Sequence, residues 1–188
     1  MALIVSEGEK REGFPIPSAE THQAVCFGVW PLGLFETESN GKKKLQEKVM
    51  LGWEVNESTP SGKRFTVFKK YTFSLFKEAN LRKDLVSWRA KDFTPEELKG
   101  FDLEKLIGVN CMLSIIHNKV GEKTYANVGS ISKLVKGAMP LKPETVSTET
   151  PDWIKKLQLK AVKDEPVQEG SDVAPEVATD ANDEEIPF

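Results

Sequence analysis

Five stretches rich in β-branched and aromatic residues stand out in the first 140 residues of this 188-residue chain. Val, Ile, Thr, Phe, Tyr and Trp favour β-strands, and the Gly, Asn, Ser and Lys residues between the stretches favour turns. The pattern therefore predicts five strands in a mainly β fold. The five stretches cover residues 22–36, 45–55, 65–75, 109–118 and 124–134.

A different pattern separates the third stretch from the fourth. Leu81, Leu85 and Trp88 follow one another at spacings of four and three, which predicts a helix over about 77–90. Thr94 is then followed by Pro and two Glu residues, a combination typical of a helix start. Five strands with helices between the third and fourth is the element order of the OB-fold, a small Greek-key barrel. We therefore expect a five-stranded OB-fold barrel over residues 1–140, with a helical insertion between strands 3 and 4.

Charge is strongly segregated along the chain, although the formal net charge is only −3. Residues 42–136 carry a net charge of +8, whereas residues 161–188 carry −8. Six of the eleven prolines lie in residues 140–188, among acidic and small residues that cannot form a packed core. This composition predicts a disordered acidic tail over residues 141–188. Within it, residues 153–162 have apolar side chains at helical spacing and predict a helix that either docks transiently or stays unattached.

Two further features point to a soluble, intracellular protein. The chain has only two cysteines, and small secreted domains usually carry dense, even sets of them. No stretch approaches the roughly 20 apolar residues needed to cross a bilayer, and no targeting segment is evident at the N-terminus. We expect no structural disulfide and no membrane contact.

Single-stranded nucleic acid is bound by cations that contact phosphates and by aromatic rings that stack on bases. Side chains alternate along a strand, so residues 65–75 are expected to place odd positions in the core and even positions, including Phe68 and Lys70, on the open face. By the same alternation, Trp30 is expected on the face opposite Phe27. For each ring, the alternative is a place in the core, and Trp53 shares its alternation with apolar neighbours. The candidate nucleic-acid-binding residues are Trp30, Trp53, Lys63, Arg64, Phe68, Lys69, Lys70, Tyr71, Lys123 and Tyr125.

Two of the predicted strand connections are cationic. Residues 36–44 contain three consecutive lysines, and residues 118–124 contain Lys119 and Lys123. We expect both connections to border the binding groove.

Metal and catalytic chemistry have little support in the sequence. His22, Cys26, Cys111 and His117 make up a two-Cys, two-His set, but their spacing matches no compact zinc motif. No phosphate-binding loop, zinc-protease or nucleophile-elbow motif occurs. The prediction is therefore no enzyme, no metal and no cofactor. A metal-dependent enzyme acting on nucleic acid remains an alternative.

The C-terminal residues DEEIPF resemble the acidic tip of bacterial single-stranded-DNA-binding proteins. In that family the tip recruits replication and repair enzymes. The resemblance implies that Phe188 enters an apolar pocket, that Pro187 fixes its approach beside Ile186, and that three acids surround it. These acids are Asp183, Glu184 and Glu185.

The rest of the chain is similar to the OB-fold single-stranded-DNA-binding proteins of tailed bacteriophages. The similarity lies in FTVFKKYTFSL, KEANLRKDLVSWRAKDFTPEEL and GVNCMLSIIHNKVGEKTYANVGSIS. It implies a protein of the infected bacterium's cytoplasm that coats single-stranded DNA during replication or recombination and meets host or phage proteins through the tip. The long helical insertion before the fourth strand departs from the bacterial proteins, so we expect a monomer or weak dimer instead of their tetramer.

Two questions stay open at the level of sequence. The acidic tail is expected to compete with DNA for the basic middle of the chain, but the tail itself could be the working part of a protein-interaction module whose barrel is a scaffold. Stacking and phosphate contacts also serve DNA and RNA alike.

Overall fold

The long first strand, β1, organises the sheet, because it pairs with two neighbours. The computed structural model describes residues 14–39, 41–145 and 149–161. In it, β1 pairs antiparallel with β2 from Ala24 to Ser39 and with β4 from Thr21 to Val25. The sheet order is β3-β2-β1-β4-β5, and every pairing is antiparallel. The strands are β1 (Thr21–Ser39), β2 (Lys42–Ser58), β3 (Arg64–Thr72), β4 (Asn110–Val120) and β5 (Lys123–Lys133).

These strands confirm the predicted mainly β fold. The sheet is not closed by a β3–β5 ladder among the described residues. Instead, helix α1 (Asn80–Arg89) contacts both β3 and β5, the two edge strands.

The insertion between β3 and β4 is helical, as predicted. After α1 come α2 (Pro95–Lys99) and a 3₁₀ helix (Leu103–Leu106). Helix α2 begins at a capping box: the Thr94 hydroxyl accepts a hydrogen bond from the Glu97 N–H at 3.2 Å, and the Glu97 carboxylate accepts one from the Thr94 N–H at 2.9 Å. This reciprocal pair satisfies two N–H groups that a helix start leaves without partners.

The main core lies on one face of the sheet, beneath α1. Leu81, Leu85 and Trp88 of α1 are buried against it, as their spacing predicted. The same core takes in Leu103 and Leu106 of the 3₁₀ helix, so α1 and the 3₁₀ helix pack on this side.

Two bulges in β1 change which face its side chains occupy. The register shifts between Cys26 and Gly28 and again between Pro31 and Gly33. A bulge adds one residue to a strand and so interrupts the alternation of its side chains. As a result Phe27 and Trp30 lie in the same cluster, and the prediction that they face opposite sides was wrong.

Residues following the sheet return across it. The predicted disordered tail began at 141, but residues 141–145 and 149–161 pack against the strands, and α3 (Asp152–Gln158) forms within them. Long-range hydrogen bonds to Asn110 and Glu54 hold this part of the chain, and a composition-based prediction does not include such contacts. The predicted tail from 162 to 188, with its tip, lies outside the described residues. None of the described helices is both long enough and apolar enough to cross a membrane.

Candidate nucleic-acid interface

The even-numbered positions of β2 and β3 share the face of the sheet that lies away from the main core, here called the outer face. On β3 these positions include Phe68 and Lys70, in agreement with the predicted alternation. Phe68 pairs with Gly52 of β2, and Lys70 pairs with Met50. No register shift interrupts β2 between Lys42 and Glu54, so its even positions stay on one side.

Gly52 gives the outer face room for aromatic rings. A Cβ at this position would lie 2.9 Å from the rings of Phe68 and Trp30 and 3.0 Å from the ring of Phe27. Gly28 is tighter still, since a Cβ there would lie 2.2 Å from Trp30. Glycine within a strand often marks such a close approach. The two glycines let three rings rest directly on the backbone.

The three rings form a group that we call the ring cluster: Phe27, Trp30 and Phe68. Their centroids are 5.5 to 6.0 Å apart, with T-shaped or tilted geometry. Such geometry is favourable for aromatic pairs. The structure therefore brings together two of the predicted stacking residues, Trp30 and Phe68, and adds Phe27.

Helix α3 lies over the ring cluster. The ring of Trp153 meets Phe68 edge to face at 4.7 Å, and Ile154 is fully buried against the cluster. Trp30 is consequently only 6% exposed.

Lysines continue the outer face beyond the ring cluster. Lys70 Nζ lies 5.8 Å from the centroid of the Phe35 ring, within cation–π range. Lys48 Nζ donates hydrogen bonds to Gln46 Oε1 and Thr72 Oγ1, both at 2.8 Å. Further along β2, Lys44 and Lys42 are exposed and lie on the same side as Lys48. Lys48 itself is only 6% exposed, so we give the name lysine strip to the three accessible lysines on this side: Lys42, Lys44 and Lys70.

The lysine strip is close to an aromatic ring. Phe35 pairs with Gln46 and Thr37 pairs with Lys44, so Lys44 is two residues along the ladder from Phe35. At about 3.4 Å per residue, the two positions are about 7 Å apart.

The opposite end of the outer face is acidic and closed. Glu54 is 1% exposed, and its carboxylate accepts hydrogen bonds from the N–H groups of Glu144 at 2.7 Å and Thr145 at 2.6 Å. Arg64 Nη1 lies 3.6 Å from Glu54 Oε2. The outer face thus runs from a buried carboxylate, through the ring cluster, to the lysine strip.

Several candidate residues serve the fold instead. Trp53 and Tyr71 are 0% and 1% exposed in the main core, which corrects the expectation that they contact nucleic acid. Because both occupy odd-numbered positions, Trp53 on β2 and Tyr71 on β3, their side chains lie on the core face beneath α1. Tyr71 Oη donates to Asp84 Oδ2 at 2.7 Å, and Lys69 Nζ lies 3.0 Å from the same oxygen.

The remaining candidates lie away from the ring cluster. Arg64 pairs with Glu54 and with Glu144, at 3.3 Å from the latter carboxylate. Lys63 is exposed in the turn before β3. Lys123 and Tyr125 belong to β5, which is separated from β1 by β4 in the sheet order.

The cysteines and histidines are occupied by packing and by backbone contacts. Burial raises the pKa of the Cys26 thiol to about 12, and burial together with the neighbouring Cys26 also raises the pKa of Cys111. His117 Nε2 lies 2.7 Å from the Pro17 carbonyl, and His22 Nε2 lies 2.9 Å from the Ser18 carbonyl. Across residues 14–39, 41–145 and 149–161, no three potential metal ligands come together.

Sequence reasoning placed Lys42 and Lys44 in a cationic connection bordering the groove, but it missed three members of the outer face: Phe27, Gly52 and Lys48. Their signal was present for β2, since even positions from 42 to 48 are lysine with the exception of Gln46, and a glycine follows within the strand. For Phe27 the signal was hidden by the bulge.

A scan against protein-family models gives no match, and neither does a search of curated protein sequences. The inference of function therefore starts from the outer face.

Proposed function

We propose that the chain binds single-stranded DNA along its outer face, without sequence preference. The observation that carries the proposal is the shared position of the ring cluster and the lysine strip on one face of β1, β2 and β3. Packing in the main core would account for aromatic rings beneath α1. The rings of the ring cluster lie on the other side of the sheet, so the main core does not account for them.

The two halves of the outer face match the two halves of a nucleotide. Aromatic rings stack on unpaired bases, at about 1–3 kcal/mol per base, and lysines neutralise phosphates. An aromatic ring can stack on any base, and a lysine that contacts a phosphate does not distinguish one base from another. An outer face built of Phe, Trp and Lys therefore supports binding that tolerates any sequence.

The topology supports the same function. An OB-fold is a partly open, five-stranded Greek-key barrel that binds oligonucleotides on its second and third strands and on the loop between its first two strands. Here the outer face lies on β2 and β3, and lysines 42–44 follow the turn between β1 and β2. We accordingly include the OB-fold barrel in the proposal, with α1 bridging its edge strands.

Overall charge also favours an anionic ligand. The described residues contain 23 lysines and arginines and 17 acidic residues, whereas the whole chain is net acidic. The excess of positive charge belongs to the part of the chain that carries the outer face.

The resemblance to phage proteins supplies the biological setting of the proposal. In that setting the protein coats single-stranded DNA during phage replication or recombination in the host cytoplasm, acts as a monomer or weak dimer, and recruits host or phage replication and repair proteins through residues 183–188.

Fluorescence anisotropy with a labelled oligo(dT) tests the proposal. We expect saturable binding at 50 mM salt that weakens steeply by 200 mM, with weaker binding of duplex DNA of the same length. A parallel titration with oligo(U) distinguishes DNA from RNA. Failure to bind oligo(dT) at 50 mM salt would contradict the proposal and favour a scaffold for protein interactions.

A further inference from the structure

Helix α3 occupies the ring cluster, which the proposed function needs for bases. We propose that α3 is a displaceable cover: a bound single strand takes the place of α3 on Phe27, Trp30 and Phe68. This inference rests on the proposed function and concerns how the same outer face is opened.

The cover is held mainly by apolar side chains. Ile154 is fully buried, and Trp153 and Leu157 are partly buried against the cluster. A hydrogen bond joins the helix to the sheet, from Gln158 Nε2 to the Pro31 carbonyl at 2.6 Å. A seven-residue helix is also too short to be stable in water by itself. Apolar contact is therefore the main force that keeps α3 in place.

The residues before α3 are held differently. Leu141 N–H donates to Asn110 Oδ1 at 2.8 Å, and the Asn110 amide donates to the Leu141 carbonyl at 2.9 Å. Glu144 and Thr145 donate to the buried Glu54 carboxylate. Hydrogen bonds to a charged group are stronger than neutral ones. We thus expect residues 141–145 to stay attached when α3 leaves.

The edge-to-face contact between Trp153 and Phe68 occupies the ring that a base would contact in the proposed complex. Both ligands, the indole and a base, offer a flat aromatic surface to the same ring. A strand that binds the ring cluster must displace the indole, because Trp153 and a base cannot contact the same part of Phe68 together.

The charge of residues 149–161 distinguishes displacement of the α3 cover from competition by the predicted acidic tail. Residues 149–161 contain Glu149 and Asp152 but also Lys155, Lys156 and Lys160, so the cover is not an anionic substitute for DNA. Its competition comes from apolar contact, which salt screens little, whereas competition by acidic residues weakens with salt. Loosening α3 should change affinity by the same factor at low and high salt.

Hydrogen–deuterium exchange on the full chain tests the cover directly. In the free protein, Lys155 and Leu159 N–H donate to the Pro151 and Lys155 carbonyls, which slows their exchange. With saturating oligo(dT), we expect faster exchange in a peptide covering α3 and slower exchange in β2 and β3. Unchanged or slower exchange in α3, with oligo(dT) bound, would overturn the inference and leave the proposed function standing.

Variants of α3 provide the second measurement. If the open state is rare, weakening the cover raises the binding-competent fraction and tightens binding in proportion. We expect Ile154→Ala to bind oligo(dT) ~30-fold more tightly or more, from the lower end of the loss typical of truncating a buried Ile. Gln158→Ala should bind ~5-fold more tightly, because it loses one hydrogen bond. The control is Leu159→Ala, which removes a side chain that is 77% exposed and should leave affinity unchanged.

The outcomes separate the two proposals. Equal affinity in wild type and Gln158→Ala would contradict the cover, even where Ile154→Ala failed to fold. A gain in affinity that disappeared at high salt would also contradict it. No binding by any of the proteins at 50 mM salt would instead contradict the proposed function.

Discussion

Removing two lysines of the lysine strip should weaken DNA binding in a way that depends on salt. Lys42 and Lys44 are exposed on the outer face, and neither forms an ion pair with another described residue. Lys43, between them, lies 2.6 Å from Glu36, and its hydrogen bond to that carboxylate raises the pKa of Lys43. The double variant Lys42→Ala, Lys44→Ala therefore removes the two hairpin cations that are free to meet phosphates.

The magnitude follows from counterion release. For single strands, log K changes with log[salt] by about −0.7 per phosphate contact, so two contacts contribute ~1.4 to the slope. The contribution of the two contacts to log K vanishes at 1 M salt. At 0.1 M salt, the double variant should therefore bind ~25-fold more weakly than wild type. Between 50 and 200 mM salt, the difference from wild type should shrink by a factor of ~7.

Anisotropy titrations at four salt concentrations measure both quantities. The matched control is Lys99→Ala, Lys105→Ala, which removes two exposed lysines from the α2 and 3₁₀ region on the main-core side. It lowers the net charge equally, so it reports the effect of charge without position. Equal slopes for the two double variants would refute the placement of DNA on the outer face.

Three further measurements test the structure on which these proposals depend. Gly52→Ala should lower the free energy of unfolding by about 1–3 kcal/mol through overpacking of three rings, whereas Gly100→Ala, which has open space around it, should not; similar urea midpoints would contradict this. The Cys26 thiol should resist a thiol reagent at pH 8 until the protein is unfolded, since burial raises its pKa to about 12; reaction at the rate of a free thiol would show that it is accessible. A hydrogen bond from the Thr94 N–H lowers the pKa of Glu97, so its contribution to stability is present above its unfolded pKa and lost as the pH falls through the folded one. Glu97→Gln should therefore be less stable than wild type at pH 7 and equal to it below the folded pKa, and a difference that persists there would contradict the assignment.

Local sequence signals predicted the parts of the fold that depend on local forces. The alternation of residues 65–72 placed Phe68 and Tyr71 on their correct faces, because β3 has no bulge in this range. The spacing of Leu81, Leu85 and Trp88 identified the buried side of α1. Side-chain period and capping chemistry were sufficient in these cases.

Non-local contacts explain what the sequence did not show. The bulge after Cys26 puts Phe27 beside Trp30, and its position depends on pairing with β2 and β4. The attachment of residues 141–145 depends on Glu54, about ninety positions earlier in the chain. Composition alone assigned these residues to a tail, because their stabilising partner is a single buried carboxylate in a distant strand.

In the proposed function, one face of the sheet provides stability and the other provides binding. The main core, beneath α1, contains twenty buried residues and none from α3, so the fold keeps its packed interior when the cover leaves. The ring cluster, by contrast, depends on Ile154 for its cover. Because opening one face does not expose the other, the cover can open without unfolding the sheet. We expect Glu54 to mark the end of the surface available to DNA, since residues 144 and 145 close the outer face over its carboxylate. From Gly52 to Lys42, the remaining length of β2 is about 34 Å at ~3.4 Å per residue. We therefore expect a bound strand to run from the ring cluster toward the lysine strip.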